Sequence, residues 1–124
     1  MGNILNLIWP IAQETFCYPD LHYTDTAGTA KLNVIHIGDS YNINLLRTGV
    51  LPHVYHSWQF WFYFKFVLDK NNYQGWTYPM IKDTDWKTEL KKADCIIFLN
   101  TSINMRAMGY GMIDSAYQYF YPGK

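Results

Sequence analysis

Val34-Ile35-His36-Ile37-Gly38-Asp39-Ser40-Tyr41 decides how this chain reads. The run Lys31 to Ile37 is rich in β-branched residues and ends at Gly38, which predicts a strand closed by a tight turn. Beyond the turn, Ile43, Leu46 and Val50 fall at i, i+3 and i+7, the apolar stripe of a helix over Ser40 to Leu51. Asp39 or Ser40 can cap this helix, and Gly49 with Pro52 marks its end. Strand, turn and helix in this order lift a small hydroxyl residue to the carboxyl edge of a sheet. Free backbone N–H groups at a helix start lie beside it.

The rest of the chain repeats the alternation. Trp58, Phe60, Phe62, Phe64 and Phe66 alternate with Gln59, Trp61, Tyr63 and Lys65, a period of two that predicts one strand from Trp58 to Phe66 with both faces covered. Asp69 to Gly75 is a polar loop. Asp83 to Lys92 predicts a helix, with Asp85, Thr88 and Glu89 as a capping group and Lys91-Lys92 at its negative end. The apolar run Cys95 to Leu99 predicts a central parallel strand over Ala93 to Leu99, buried on both sides. Asn104 to Phe120 predicts a last helix whose Met105, Met108, Met112 and Ala116 stripe packs into the core. Residues 1–30 lack a period and read as irregular, with a short element near Asn3 to Ile8.

This order gives an α/β fold: a three-layer sandwich with a small central parallel sheet over residues 31–124, behind an N-terminal segment of residues 1–30. Ligands of such sheets gather at the carboxyl ends of the strands. Two polar turns belong there, Gly38-Asp39-Ser40 and Asn100-Thr101-Ser102-Ile103-Asn104, on strands expected to be neighbours.

Composition narrows the partners. Ten basic and ten acidic residues give no net charge and no like-charge block, which argues against nucleic acid or an acidic membrane surface. The apolar start, Met1 to Pro10, has no basic leader region and is too short to span a bilayer. Asn6 stands where an acylation signal needs Ser or Thr. Cys17 and Cys95 form no metal-binding pattern; a disulfide between them stays open, and Cys95 reads as a buried thiol. His36 reads as a hydrogen-bonded core histidine, and His53 with His56 lacks a third metal ligand. No cofactor is implied. Aromatic residues make up 19% of the chain, an excess that points to cover by a homo-oligomeric partner or a missing segment; the Trp58 to Phe66 run reads as a core strand or a protein–protein interface, with a sugar-stacking platform as the alternative.

Val34 to Tyr41 resembles the first block of the SGNH, or GDSL-like, hydrolase superfamily, in particular its cell-envelope branch, where Gly-Asp-Ser is followed by an aromatic. Ala93 to Thr101 looks like the strand bearing that family's third block, and the likeness covers roughly Lys31 to Phe120. The resemblance implies ester hydrolysis or O-acyl transfer on a carbohydrate or cell-envelope polymer. Ser40 would be the nucleophile, and its own N–H together with Asn100 would form the oxyanion hole. A cell-envelope location is implied by the same resemblance alone. No histidine follows His56, so the usual C-terminal base block is missing. Asp20-Leu21-His22 offers the candidate base His22 with Asp20, or Asp25, as its orienting acid, and Gly75 is the candidate second-block glycine. The alternative is a catalytically silent domain of this kind serving carbohydrate binding or assembly. A flavodoxin-like regulatory domain is a third reading, with Asp39 standing alone where a phospho-receiver has an acidic cluster.

Overall fold

The computed structural model describes His22 and residues 31–75 and 77–123. These form a mixed α/β fold. Strands β1 (Asn33–Gly38), β2 (Ser57–Phe62), β3 (Phe66–Asp69) and β4 (Cys95–Leu99) make one sheet in the order β3-β2-β1-β4. β1 pairs in parallel with both β2 and β4, and β3 runs antiparallel to β2 at one edge. The helices are α1 (Asn42–Arg47), α2 (Leu51–Val54), α3 (Trp86–Lys92) and α4 (Met112–Phe120), with short 3-10 turns at Ile81–Asp83 and Ser102–Ala107.

Alternation along the strands divides the apolar side chains between two clusters. Ile35, Ile37, Trp61 and Val67 pack with Leu90 of α3 and Met112 of α4. Trp58, Phe60 and Leu68 pack with Leu46 of α1 and Leu51 of α2. Trp61 and Phe60 are fully buried, and an aromatic side chain of that kind contributes roughly 4–6 kcal/mol by area removed from water. The Trp58 to Phe66 run is therefore mainly core, and Trp58 and Trp61 form no sugar-stacking surface.

The run is also not one strand. Tyr63 and Phe64 adopt left-handed backbone angles, with φ of 52° and 50°, and with Lys65 form the three-residue loop that folds β2 back onto β3, where Phe62 pairs with Phe66. Lys65 N–H closes it on the Phe62 carbonyl at 2.9 Å. Such turns favour Asn-Gly, because side chains with a Cβ meet steric resistance there. Two aromatics at those positions give no turn signal, and so the alternation reads straight through.

Other expectations are corrected in the same way. The helix foreseen over Ser40 to Leu51 is two, because Gly49 turns left-handed and Pro52 opens α2. No side chain caps α1. The helix foreseen over Asp83 to Lys92 begins at Trp86, where Asp85 accepts the Thr88 N–H as foreseen. The last helix is confined to Met112–Phe120 by the left-handed run Gly109-Tyr110-Gly111. The methionine stripe is thereby broken: Met112 is buried, whereas Met105 and Met108 are about half exposed. Among the described residues β4 is an edge strand rather than a central one, and Ile96 and Leu99 are exposed on it. Cys95 is half-buried and carries a free thiol; Cys17 lies outside the described residues. Among the described residues no helix is long and apolar enough to cross a membrane.

His36 departs from expectation too. It is buried at the centre of β1 beside the Tyr55 ring, yet neither imidazole nitrogen has a hydrogen-bond partner. Burial pushes its pKa below the ordinary 6.5. The unfolded chain therefore binds the proton first as pH falls, so stability drops below about pH 6.5 and is regained above it. His36→Leu should raise stability by roughly 1–2 kcal/mol near neutrality, by removing two unsatisfied buried nitrogens. It should also flatten the dependence below pH 6.5, as chemical denaturation at a series of pH values would show.

Candidate functional site

Chain order and sheet order part company at β1. From β1 the chain moves to β2 and β3 on one side, then returns to lay β4 on the other. The carboxyl ends of β1 and β4 thus flank a topological switch point, where open α/β sheets place ligands. The foreseen pair of polar turns on neighbouring strands is present.

Asp39 binds these turns together. Its carboxylate is buried, and Oδ2 accepts from Thr101 N–H at 2.8 Å, Thr101 Oγ1 at 2.8 Å and Asn104 Nδ2 at 2.9 Å. Oδ1 accepts the Tyr41 N–H at 3.1 Å. Desolvation alone would raise the carboxyl pKa, but these four donors outweigh it and bring it from 3.8 down to about 2. Asn104 is consequently engaged with Asp39 and with the Thr101 hydroxyl.

A second tie runs beneath the first. Asn42 of α1 donates from Nδ2 to the carbonyl of Leu99, the last residue of β4, at 2.8 Å. It passes over Gly38, where a Cβ would overlap both the Leu99 carbonyl oxygen and Asn42 Nδ2. Glycine is required here by close approach rather than by backbone angle.

Around these ties stand polar groups with no partner. Asn42 Oδ1, both amide atoms of Asn100 and the Tyr110 hydroxyl are shielded from solvent and unbonded. Ser40 is exposed, and neither its N–H nor its hydroxyl bonds another described residue; its carbonyl accepts the Ile43 N–H at 3.1 Å. On the other flank Tyr63 N–H donates to the Gly38 carbonyl at 2.9 Å. The Tyr63 ring meets Tyr110 edge to face, with centroids 5.0 Å apart. Burial, and then the charge of Asp39, push the Tyr110 pKa up.

The opposite edge of the sheet contrasts with this. A concave pocket of about 290 Å³ lies there, lined by Asn33, Ser57, Gln59, Glu89 and Lys92 among others. Its polar groups satisfy one another: Ser57 Oγ donates to Asn33 Oδ1, Gln59 Nε2 to Glu89 Oε2, and Lys92 Nζ to Glu89 Oε1. The hollow is at the amino edge, but the unsatisfied chemistry is at the carboxyl edge, and the latter defines the site.

Comparison with family models, curated proteins and solved structures finds no match to this chain.

Of the site residues foreseen, Ser40 and Asn100 stand on the carboxyl edge as adjoining turns. His22 is exposed, and Asp20 and Asp25 lie outside the described residues. No group of three histidine, cysteine or acidic side chains placed to hold a metal occurs among the described residues. Sequence reading passed over Asn42, Tyr63 and Tyr110. Asn42 had a readable signal, a polar residue directly before the apolar helical stripe and four places after Gly38. Tyr110 had another in its two flanking glycines.

Asp39→Ala should destabilise the fold by about 2–4 kcal/mol, since it strands buried donors in both loops. The carboxylate itself stabilises the fold by roughly 2 kcal/mol. That contribution is fully present above pH 3.8 and is lost as pH falls through about 2. Acid titration of the wild type and Asp39→Asn by circular dichroism would check both size and window. Gly38→Ala should cost about 1–3 kcal/mol or more through overpacking, measured as a lowered denaturation midpoint.

Proposed function

We propose that the carboxyl edge is the acyl-ester site of an SGNH-like α/β sandwich domain, hydrolysing or transferring an acyl group on a carbohydrate or cell-envelope polymer. Ser40 is the nucleophile. Its backbone N–H and the Asn100 amide are the oxyanion donors. The observation that carries this reading is the pairing, at the switch point, of an exposed serine whose N–H and hydroxyl are both unengaged with a neighbouring asparagine whose amide has no partner. In the first half-reaction Ser40 Oγ attacks the ester carbonyl, its proton passes to a base, and the alcohol leaves with a proton. Water or a second hydroxyl then accepts the acyl group. Asp39 is not that base, because a carboxylate lowered to a pKa of about 2 by four donors lacks the basicity.

One observation favours a second reading. The Ser40 hydroxyl bonds no imidazole among the described residues. A serine without a base stays protonated and is a weak nucleophile. On that reading the domain keeps the fold and the ligand edge and binds carbohydrate without acyl chemistry.

A fluorophosphonate probe separates the two. Covalent labelling at Ser40, found by peptide mass and abolished in Ser40→Ala, is expected of the acyl-ester site. Ser40 is exposed, so the substitution should change stability by less than about 0.5 kcal/mol and leave labelling as a clean readout. Absence of labelling in the wild type, with ester substrates also untouched, would sink the enzymatic reading.

A further inference from the structure

We propose that Tyr63 and Tyr110 form a binding subsite for a neutral sugar ring at the carboxyl edge of the sheet. The inference rests on this edge being the ligand site of the reading above, and is independent of any chemistry at Ser40.

Among the described residues, three other than glycine hold left-handed backbone angles: Tyr63, Phe64 and Tyr110. Such angles resist any side chain with a Cβ and persist only where the surroundings impose them. Phe64 has a structural reason, since its ring packs against the core and meets Trp61 and Trp86. Tyr63 and Tyr110 are less anchored, the Tyr63 ring stacking on the half-buried Phe62, with centroids 4.4 Å apart. Neither belongs to either apolar cluster, and Tyr63 keeps 36% of its surface exposed. The turn between β2 and β3 would be relaxed by asparagine or glycine at Tyr63, and a glycine at Tyr110 would fit its glycine-flanked turn. What the tyrosines add is an aromatic group at this edge: two rings at 88°, one rising from the β2–β3 turn, where it also stacks on Phe62, and the other from the loop before α4.

Their placement gives the pair a ligand. Tyr63 is bonded through its N–H to Gly38, directly before the Asp39-Ser40 turn. Tyrosine rings offer a flat apolar face with a polar tip, suited to a molecule that is apolar across its faces and polar around its rim. The polar groups on this edge without partners are the exposed Ser40 N–H and hydroxyl and, shielded from solvent beside them, the Tyr110 hydroxyl, the Asn42 carbonyl oxygen and the Asn100 amide, so donors and acceptors are both present. Among the described residues no lysine or arginine joins the network, and the Asp39 carboxylate in it already accepts four hydrogen bonds from its own turns. Perpendicular rings, mixed donors and acceptors and no available charge together describe a neutral polyhydroxylated ring.

The test titrates the full chain with cellotetraose and with the tetramer of N-acetylglucosamine, followed by calorimetry and by amide chemical shifts. Wild type is expected to bind at least one of them with shifts at Gly38, Tyr63 and Tyr110. Tyr63→Gly and Tyr110→Gly should melt no lower than wild type, because glycine relieves the backbone, and should bind at least tenfold more weakly. Tyr110→Phe, which keeps ring and packing, should bind three- to tenfold more weakly. If neither sugar binds at millimolar concentration, or if the glycine variants bind as wild type does, the subsite is refuted. A marked fall in melting temperature in both glycine variants, with sugar binding by Tyr110→Phe unchanged, would assign the rings to structure instead. Ser40 labelling without sugar binding would remove the subsite and leave the acyl-ester reading; sugar binding without labelling would do the reverse.

Discussion

A buried carboxylate organises this molecule. Asp39 sits where β1 leaves the sheet and gathers donors from its own turn and from the loop after β4. Burying an unpaired carboxylate would be expensive, so the fold supplies donors until the charged form is preferred. Those donors come from two loops more than sixty residues apart in sequence. Their shared obligation fixes the spacing of the carboxyl edge. The Gly38 gap and the Asn42 tie to Leu99 then hold α1 and β4 in the same register from below.

Much of this was legible in the residues. Val34 to Ile37 and Cys95 to Leu99 read as strands because β-branched and apolar runs end in polar turns, and both turns do meet at one edge. What could not be read had physical reasons. The hairpin at Tyr63 and Phe64 carries neither asparagine nor glycine, so it has no local signal. The edge position of β4 follows from strand order, which an apolar run does not encode. His36 looked like a satisfied core histidine because buried polar groups usually are, and here the rule fails at both nitrogens.

The two ends of the sheet differ in how their polar groups are settled. At the amino edge, Asn33, Ser57, Gln59, Glu89 and Asp94 form closed chains of hydrogen bonds, reaching the buried Trp61 indole N–H through Gln59. That end behaves as a finished surface with a hollow in it. At the carboxyl edge one layer is finished, around Asp39, and a further layer of amide, hydroxyl and strained tyrosines is left open. Hollow volume and chemical incompleteness thus point to opposite ends of the sheet.

The left-handed tyrosines bear on how such a chain would respond to selection. Most substitutions that relax a strained turn also raise melting temperature, so a screen for heat resistance alone would rewrite Tyr63 and Tyr110 early. If those rings carry the ligand, the hardier variants would emerge blind to it. Thermal robustness and recognition would then trade against each other at two named positions, while Phe64, strained in the same way but anchored in the core, would stay as it is.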